Sequence, residues 1–241
     1  MPNHVTTIST VTGPAEKLKT FRAWLKDGGF DFNRIIPRPA CIDETESSTE
    51  ATLGYYALYG RFPQRERKGL YGARTLRDFG MVPREIETQE QLREWLTRAK
   101  EWSRALEKGA KTYAAECETG FSSWYEWCNA RWGTKWNAYS IEYRELTDER
   151  VVFKFETAWS FPEPIFFRLH QMFPDVVFSV ETYDEGGNFA CVGSWGGAND
   201  FRYVDATDEL YERVYGEKPE RTGDDTDEDA EDDTDEEGEE E

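Results

Sequence analysis

The stretch YSIEYRELTDERVVFKFETAW, residues 139–159, decides the fold of this 241-residue chain. Aromatic and aliphatic side chains recur at every second position before and after a polar turn at 147–149. Alternation with a period of two is the pattern of a strand with one buried face. Two such runs joined by a short polar turn predict a β-hairpin.

The segments that flank this hairpin alternate between strands and helices. Residues 4–12 are rich in β-branched side chains and predict a first strand. Pro14 then lies in the first turn of a helix that ends at Gly28. After the hairpin, the sequence predicts a helix at 162–173 and a strand at 176–180.

A last strand at 189–195 is predicted as the hairpin partner of the one before it, across a glycine-rich turn. When residues 30–137 are set aside, the order is strand, helix, strand, strand, helix, strand, with one more hairpin strand. This order predicts an α+β fold, a ferredoxin-like βαββαβ antiparallel sheet with an extra C-terminal hairpin strand and a helical insertion. We predict one domain over residues 1–220, with the insertion at about 38–137.

Within the insertion, one long helix is predicted at about 88–118. Thr88 and Gln91 form a capping-box pattern at its start, and apolar residues then step by three and four. Residues 40–86 are irregular and predicted as loops with room for a short helix. Residues 30–39, closed by prolines, are predicted as a short strand or an extended segment.

The charge of the chain is concentrated at its end. The formal net charge is −20, and the segment from Asp224 to Glu241 holds fourteen acidic residues and no Lys or Arg. We predict that residues 221–241 form a disordered acidic tail. Three interpretations of the tail stay open: a solvated extension, a nucleic-acid mimic that attracts a basic protein, and a weak calcium-binding segment.

The sequence contains no pattern typical of a membrane span or an export signal, so we expect a cytoplasmic protein. The four cysteines form no CxxC pair and are predicted to be free thiols. HExxH, P-loop and GxSxG motifs are absent, and histidine occurs only twice. We therefore expect no catalytic residue, metal site or cofactor, and a metal-dependent hydrolase or nuclease is the remaining catalytic hypothesis.

Four of the nine tryptophans lie between residues 124 and 136, and the segment Trp132-Gly-Thr-Lys-Trp136 closes this block. In one interpretation Gly133 takes a positive φ and ends a helix, the two rings pack beneath the turn, and Lys135 covers an indole face. In the other, the segment contacts a ligand and the rings are stacking platforms. The candidate binding residues are Trp132, Lys135, Trp136, Asn137 and Trp159. Because Trp159 ends a strand with buried alternate positions, we predict that it lies in the core.

A second candidate is the segment at 61–77, in which six basic residues are interleaved with Phe62, Leu70 and Tyr71. This pattern suits contact with nucleic-acid phosphates and bases. It also suits an intramolecular partner for the acidic tail, or a solvated loop. The acidity of the whole chain disfavours nucleic acid.

Three separated motifs carry a family resemblance: FNRIIP at 32–37, RWGTKWNAY at 131–139 and FETAWSFPEPI at 155–165. In this order they resemble the YubB-type ferredoxin-like family of bacteriophage and conjugative-plasmid proteins. The resemblance covers most of residues 1–197, weakens across 40–120 and does not reach the tail. It implies a ferredoxin-like fold and an origin in a mobile genetic element, and it assigns no catalytic role to any residue.

Together these patterns favour a non-enzymatic phage or plasmid accessory protein. It is expected to bind a basic host or element-encoded protein, as an acidic nucleic-acid mimic or counter-defence factor. The alternative is a single-stranded nucleic-acid-binding module, because ferredoxin-like sheets often present aromatic side chains to single strands.

Overall fold

The computed structural model describes residues 3–64 and 75–219. The predicted disordered tail, and residues 65–74 of the basic segment, lie outside the described residues. The strands are β1 (His4–Thr12), β2 (Tyr139–Leu146), β3 (Arg150–Ala158), β4 (Val177–Asp184), β5 (Ala190–Trp195) and β6 (Phe201–Val204). The α-helices are α1 (Ala15–Gly28), α2 (Phe32–Ile35), α3 (Ala40–Asp43), α4 (Thr49–Tyr59), α5 (Gln89–Arg98), α6 (Ala105–Thr119), α7 (Trp124–Arg131), α8 (Glu163–Met172) and α9 (Asp208–Tyr215).

The six strands form one antiparallel sheet in the order β2-β3-β1-β4-β5-β6. In the centre of the sheet, Ser9 of β1 lies opposite Phe153 of β3 on one side and Val180 of β4 on the other. The predicted α+β, ferredoxin-like fold is therefore confirmed. The C-terminal extension has two strands where one was predicted, because the four-residue β6 is too short to show an alternating pattern.

One face of the sheet packs against α1 and α8 and holds the main core. Phe21 of α1 contacts Phe153 and Phe178, and Phe166 of α8 contacts Phe155 and Phe178, with ring centroids 5.5–6.5 Å apart. The opposite face is partly covered by α9. Aromatic rings of this size bury large apolar areas, which is the main stabilising contribution to such a fold.

The insertion has its own hydrophobic cluster, formed by α4, α5, the start of α6, Phe62 and the segment from Leu76 to Ile86. The single long helix predicted at about 88–118 is wrong. It is broken after Ala99, whose backbone is extended, and a 3-10 turn at Lys100–Trp102 separates α5 from α6. The break lets Trp102 pack against Trp95, with ring centroids 5.5 Å apart, whereas a continuous helix would run straight away from the cluster.

Residues 40–86 were predicted as loops with room for a short helix, and the described part of this segment holds the eleven-residue helix α4 with an N-cap at Ser48. The segment predicted as a strand or extended at 30–39 contains the short helix α2, capped by the Asp31 carboxylate. No helix in the described ranges is long and apolar enough to cross a bilayer.

Candidate functional site

Trp132 lies at the junction between the insertion and the sheet. Its side chain is 1% exposed, and its ring contacts Phe32 and Trp127 with centroids 5.8 and 5.5 Å away. The indole N–H donates to the Ile36 carbonyl over 2.9 Å. Gly133 follows with a φ of 80°, which ends α7 in the left-handed conformation predicted for it.

Asn137, a second candidate binding residue, has its side-chain amide engaged within the chain. Its Oδ1 atom accepts from the backbone N–H groups of Phe32 and Ala138, each over 2.9 Å. Its Nδ2 atom donates to Asp31 Oδ1 over 2.7 Å. The structure therefore places Trp132 in the core and uses Asn137 to hold α2 against the start of β2.

The loop between these two residues is fixed against the end of β3. The buried Thr134 hydroxyl donates to the Ala158 carbonyl over 2.8 Å. The Ser160 hydroxyl donates to the Gly133 carbonyl over 2.6 Å. These two bonds tie the residues just before Lys135 to the residues on either side of Trp159, so that Lys135 and Trp159 share a hydrogen-bonded support.

Lys135, Trp136 and Trp159 come together at the surface. The Lys135 ammonium lies 4.6 Å from the centroid of the Trp136 ring and 4.4 Å from that of the Trp159 ring. The two tryptophans are 39% and 43% exposed. The predicted contact of Lys135 with an indole face is confirmed, and a second indole, 24 positions after Lys135 in the chain, completes the arrangement.

The prediction that Trp159 lies in the core is wrong. The buried alternation of β3 ends at Thr157 and Ala158, and Trp159 then takes a φ of 71°. Its backbone N–H donates to the carbonyl of Asn3, the residue before β1, over 3.0 Å, and this bond holds the left-handed conformation. This backbone conformation is uncommon for a bulky residue and costs about 1–3 kcal/mol, and here it turns the indole towards solvent.

Two substitutions of Trp159 should distinguish the energetic cost of its left-handed backbone from the contribution of its indole ring. Trp159→Ala removes the indole but keeps a Cβ in the left-handed region, whereas Trp159→Gly also removes the steric cost of that conformation. We expect Trp159→Gly to have a free energy of unfolding higher than that of Trp159→Ala by about 1–2 kcal/mol, measured by urea denaturation. Equal stability of the two variants would contradict a strained backbone at this position.

Further aromatic side chains extend this surface on both sides. Tyr125 of α7 lies 6.4 Å from Trp159, and Trp136 lies 6.5 Å from Tyr139 of β2, whose ring is 5.6 Å from that of His4. We call Tyr125, Trp159, Trp136, Tyr139 and His4 the aromatic strip. Sequence reasoning placed Tyr139 and His4 on strands but had no signal that would join them to the tryptophans.

Two carboxylates lie at the His4 end of the strip. His4 Nδ1 is 2.7 Å from the Tyr139 hydroxyl and 3.7 Å from Glu156 Oε2, and the His4 backbone N–H donates to Glu185 Oε1 over 2.7 Å. The Tyr139 hydroxyl donates to the Thr157 carbonyl over 3.1 Å, so its oxygen is free to accept from His4. Burial, and then the negative charges of Glu156 and Glu185, raises the pKa of Tyr139 to about 12.

The aromatic strip offers groups for stacking and for charge interactions. At neutral pH the Tyr139 phenol keeps its proton, and burial raises the pKa of the Cys191 thiol to about 11, so neither supplies an anionic nucleophile. The described part of the chain holds no group of three or more His, Cys, Asp or Glu placed to bind a metal ion. Exposed π faces, one cation and two carboxylates are groups that hold a partner by stacking and by charge.

Residues 132–196 match a protein family described as the ferredoxin-like domain in Api92-like protein. Among solved structures, the crystal structure of a protein api92 from Yersinia pseudotuberculosis aligns over 86% of this chain and 99% of that chain, with 11% sequence identity and a TM-score of 0.43. No curated protein matches the chain. The segment from Trp132 to Gly196, which carries β2 to β5 and three members of the aromatic strip, is thus similar to the ferredoxin-like domain of Api92-like proteins.

Proposed function

We propose that this protein is a non-enzymatic binding protein that contacts a basic protein partner through the aromatic strip. The observation that supports this most directly is the pair of exposed indoles, Trp136 and Trp159, on a hydrogen-bonded support. Tryptophan is enriched among the residues that dominate protein–protein binding energy, because it buries a large area with little loss of conformational freedom.

The negative charge of the chain favours a partner with positive charge. The formal net charge is −20, and fourteen of the acidic residues lie between Asp224 and Glu241. The electric field of these charges accelerates the encounter with a basic surface. The acidic residues would also compete with nucleic acid for that surface. The resemblance of the three sequence motifs to YubB-type proteins supports a role in a phage or plasmid, where a nucleic-acid mimic would act as a counter-defence factor in the cytoplasm.

A lysine- and arginine-rich peptide provides a defined test by isothermal titration calorimetry. We expect the full chain to bind it and the double variant Trp136→Ala/Trp159→Ala to bind about tenfold or more weakly, since truncating a central interface residue commonly costs about 2 kcal/mol. Deleting Asp224–Glu241 should also weaken binding. The difference in affinity between the full chain and the deletion variant should decrease as salt is added.

Phe167→Ala is a matched control for the double variant. Phe167 is a 58% exposed aromatic residue on α8, outside the strip, so its removal should leave the affinity for the peptide unchanged. If the double variant bound the peptide as tightly as the wild type, the aromatic strip would not be the binding surface. If the tail deletion had no effect, the tail would make no contribution to binding, and if the full chain did not bind the peptide, the basic partner itself would be ruled out.

The nucleic-acid alternative has less support from the sheet. Val151, Phe153 and Phe155 belong to the core, so the intervening positions of β3 face the opposite side, where Val152 and Lys154 offer no aromatic platform. That side is also partly covered by α9, which packs against β4 and β1. We expect no gel shift of single-stranded DNA or RNA by the chain lacking Asp224–Glu241, and retardation at low salt would favour the alternative.

A further inference from the structure

The rings of Trp136 and Trp159 contact the ammonium of Lys135. The ammonium of Lys135 is within 4.6 Å of both ring centroids, which is well inside the distance of about 6 Å at which a cation is attracted to an aromatic face. Among the described residues, no carboxylate oxygen lies within 4.0 Å of this ammonium. The two indoles are therefore the groups that hold the cation.

Contacts other than those with Lys135 hold the two rings in place. Trp159 is fixed by its left-handed backbone, by the bond of its N–H to Asn3 and by the edge contact with Tyr125. Trp136 stands beside Tyr139 on the loop that the Thr134 hydroxyl ties to β3. Removal of the lysine side chain should thus leave two indole walls with a vacant space between them.

We infer that the Trp136–Trp159 pair is a cage for a lysine side chain of the partner, and that Lys135 fills this cage in the free protein and leaves it on binding. The inference rests on the proposed function and adds the chemical group that the strip recognises. An ammonium is the group that already occupies the space, and an exchange of one ammonium for another keeps both indole faces covered. The acidic character of the chain, with Glu156 and Glu185 at one end of the strip, favours a partner cation over an anion.

Indole N–H signals in two-dimensional 1H–15N NMR spectra provide the test, because each of the nine tryptophans gives its own signal. The signals of Trp136 and Trp159 are assigned with the variants Trp136→Phe and Trp159→Phe. The probe is a lysine-rich peptide, compared with the same peptide after acetylation, which removes the charge of every lysine. We expect both signals to shift with the first peptide and to stay in place with the second.

Lys135→Ala vacates the cage and should raise the affinity for the lysine peptide by about two- to fivefold beyond the effect of charge alone, which is the range that an exposed cation–π contact represents. Lys154→Ala is the matched control, because it removes the same charge from a lysine that lies over Tyr215 instead. The double variant Lys135→Ala/Trp159→Ala should lose the gain. Melting temperatures of all variants show that each is folded.

The outcomes separate the cage from the proposed function. If the peptide binds, Trp136→Ala/Trp159→Ala weakens the binding, and Lys135→Ala behaves like Lys154→Ala, the cage is refuted and the binding surface stands. If acetylation leaves the shifts of the Trp136 and Trp159 signals unchanged, the strip does not recognise a lysine charge, and both the cage and the basic partner are refuted. If neither the wild type nor Lys135→Ala binds the lysine peptide, the proposed function fails together with the cage.

Discussion

Replacing Trp132 by alanine should lower the free energy of unfolding by about 3–5 kcal/mol, the range for deletion of a buried aromatic side chain. The ring is 1% exposed and fills the space between Phe32 of α2 and Trp127 of α7. The substitution leaves a cavity and removes the donor of the Ile36 carbonyl. Because these neighbours come from the insertion and its borders, the loss should loosen the insertion from the sheet. Urea denaturation followed by circular dichroism measures it.

Two further variants show how much of this loss comes from burial of the ring and how much from its hydrogen bond. Trp136→Ala deletes the same side chain four residues later, where it is 39% exposed, and should cost less than about 1 kcal/mol. Trp132→Phe keeps most of the ring but leaves the Ile36 carbonyl without its indole donor, which should cost about 1–3 kcal/mol. If Trp132→Ala unfolded at the wild-type denaturant concentration, Trp132 would not be a structural residue, and its place among the candidate binding residues would be restored.

The elements that the sequence predicts well are those with one buried face. The hairpin of β2 and β3 can be predicted because every second residue of β3, such as Phe153 and Phe155, is apolar and is buried in the core. The helix α1 is visible because Leu18, Phe21 and Leu25 form a single stripe. In both cases the period of the pattern and the geometry of the element agree, so a local rule is sufficient.

The position and length of α4 could not be predicted, because this helix lacks such a stripe. Six of its eleven residues are buried, including Thr52 and Gly54, and they are distributed around the helix. A helix enclosed on most sides has no polar face to set the period, so its sequence resembles that of an irregular segment. The break at Ala99 was missed for a related reason, since packing of Trp102 on Trp95 is a tertiary contact that overrides a continuous helical pattern.

The candidate site was predicted in part. Lys135 and Trp136 are neighbours in the chain, and their contact follows from local geometry. The contribution of Trp159 depends on one left-handed backbone angle after β3, which no alternation of side chains indicates. Tyr125 and His4 join the strip only because the sheet brings the start of β1 and the end of β3 to the loop after α7. The strip is therefore a product of the tertiary fold.

Replacing Gly54 or Gly109 by alanine should destabilise the insertion by about 3 kcal/mol or more, because two helix backbones touch at these residues. A Cβ at Gly54 of α4 would lie 1.7 Å from the Ala105 carbonyl oxygen, and one at Gly109 of α6 would lie 2.2 Å from the Gly54 carbonyl carbon. Backbone atoms cannot turn aside as a side chain can, so the helices have to separate. Alanine is the better helix former, so local propensity alone would predict the opposite sign.

Hydrogen exchange locates the effect of these substitutions. Leu53 and Ala57 of α4 belong to the cluster of the insertion, whereas Ala115 near the end of α6 belongs to the core of the sheet. We therefore expect the amides of α4 to lose protection first, and those of β1 and β3 to keep it.

Gly80→Ala is the control, because a Cβ there meets no atom within 4 Å, and it should leave protection unchanged. If Gly54→Ala and Gly80→Ala were equally stable, α4 and α6 would not be in backbone contact in solution. If β1 and β3 lost protection together with α4, the insertion and the sheet would be one cooperative unit joined through Trp132 and Ala115.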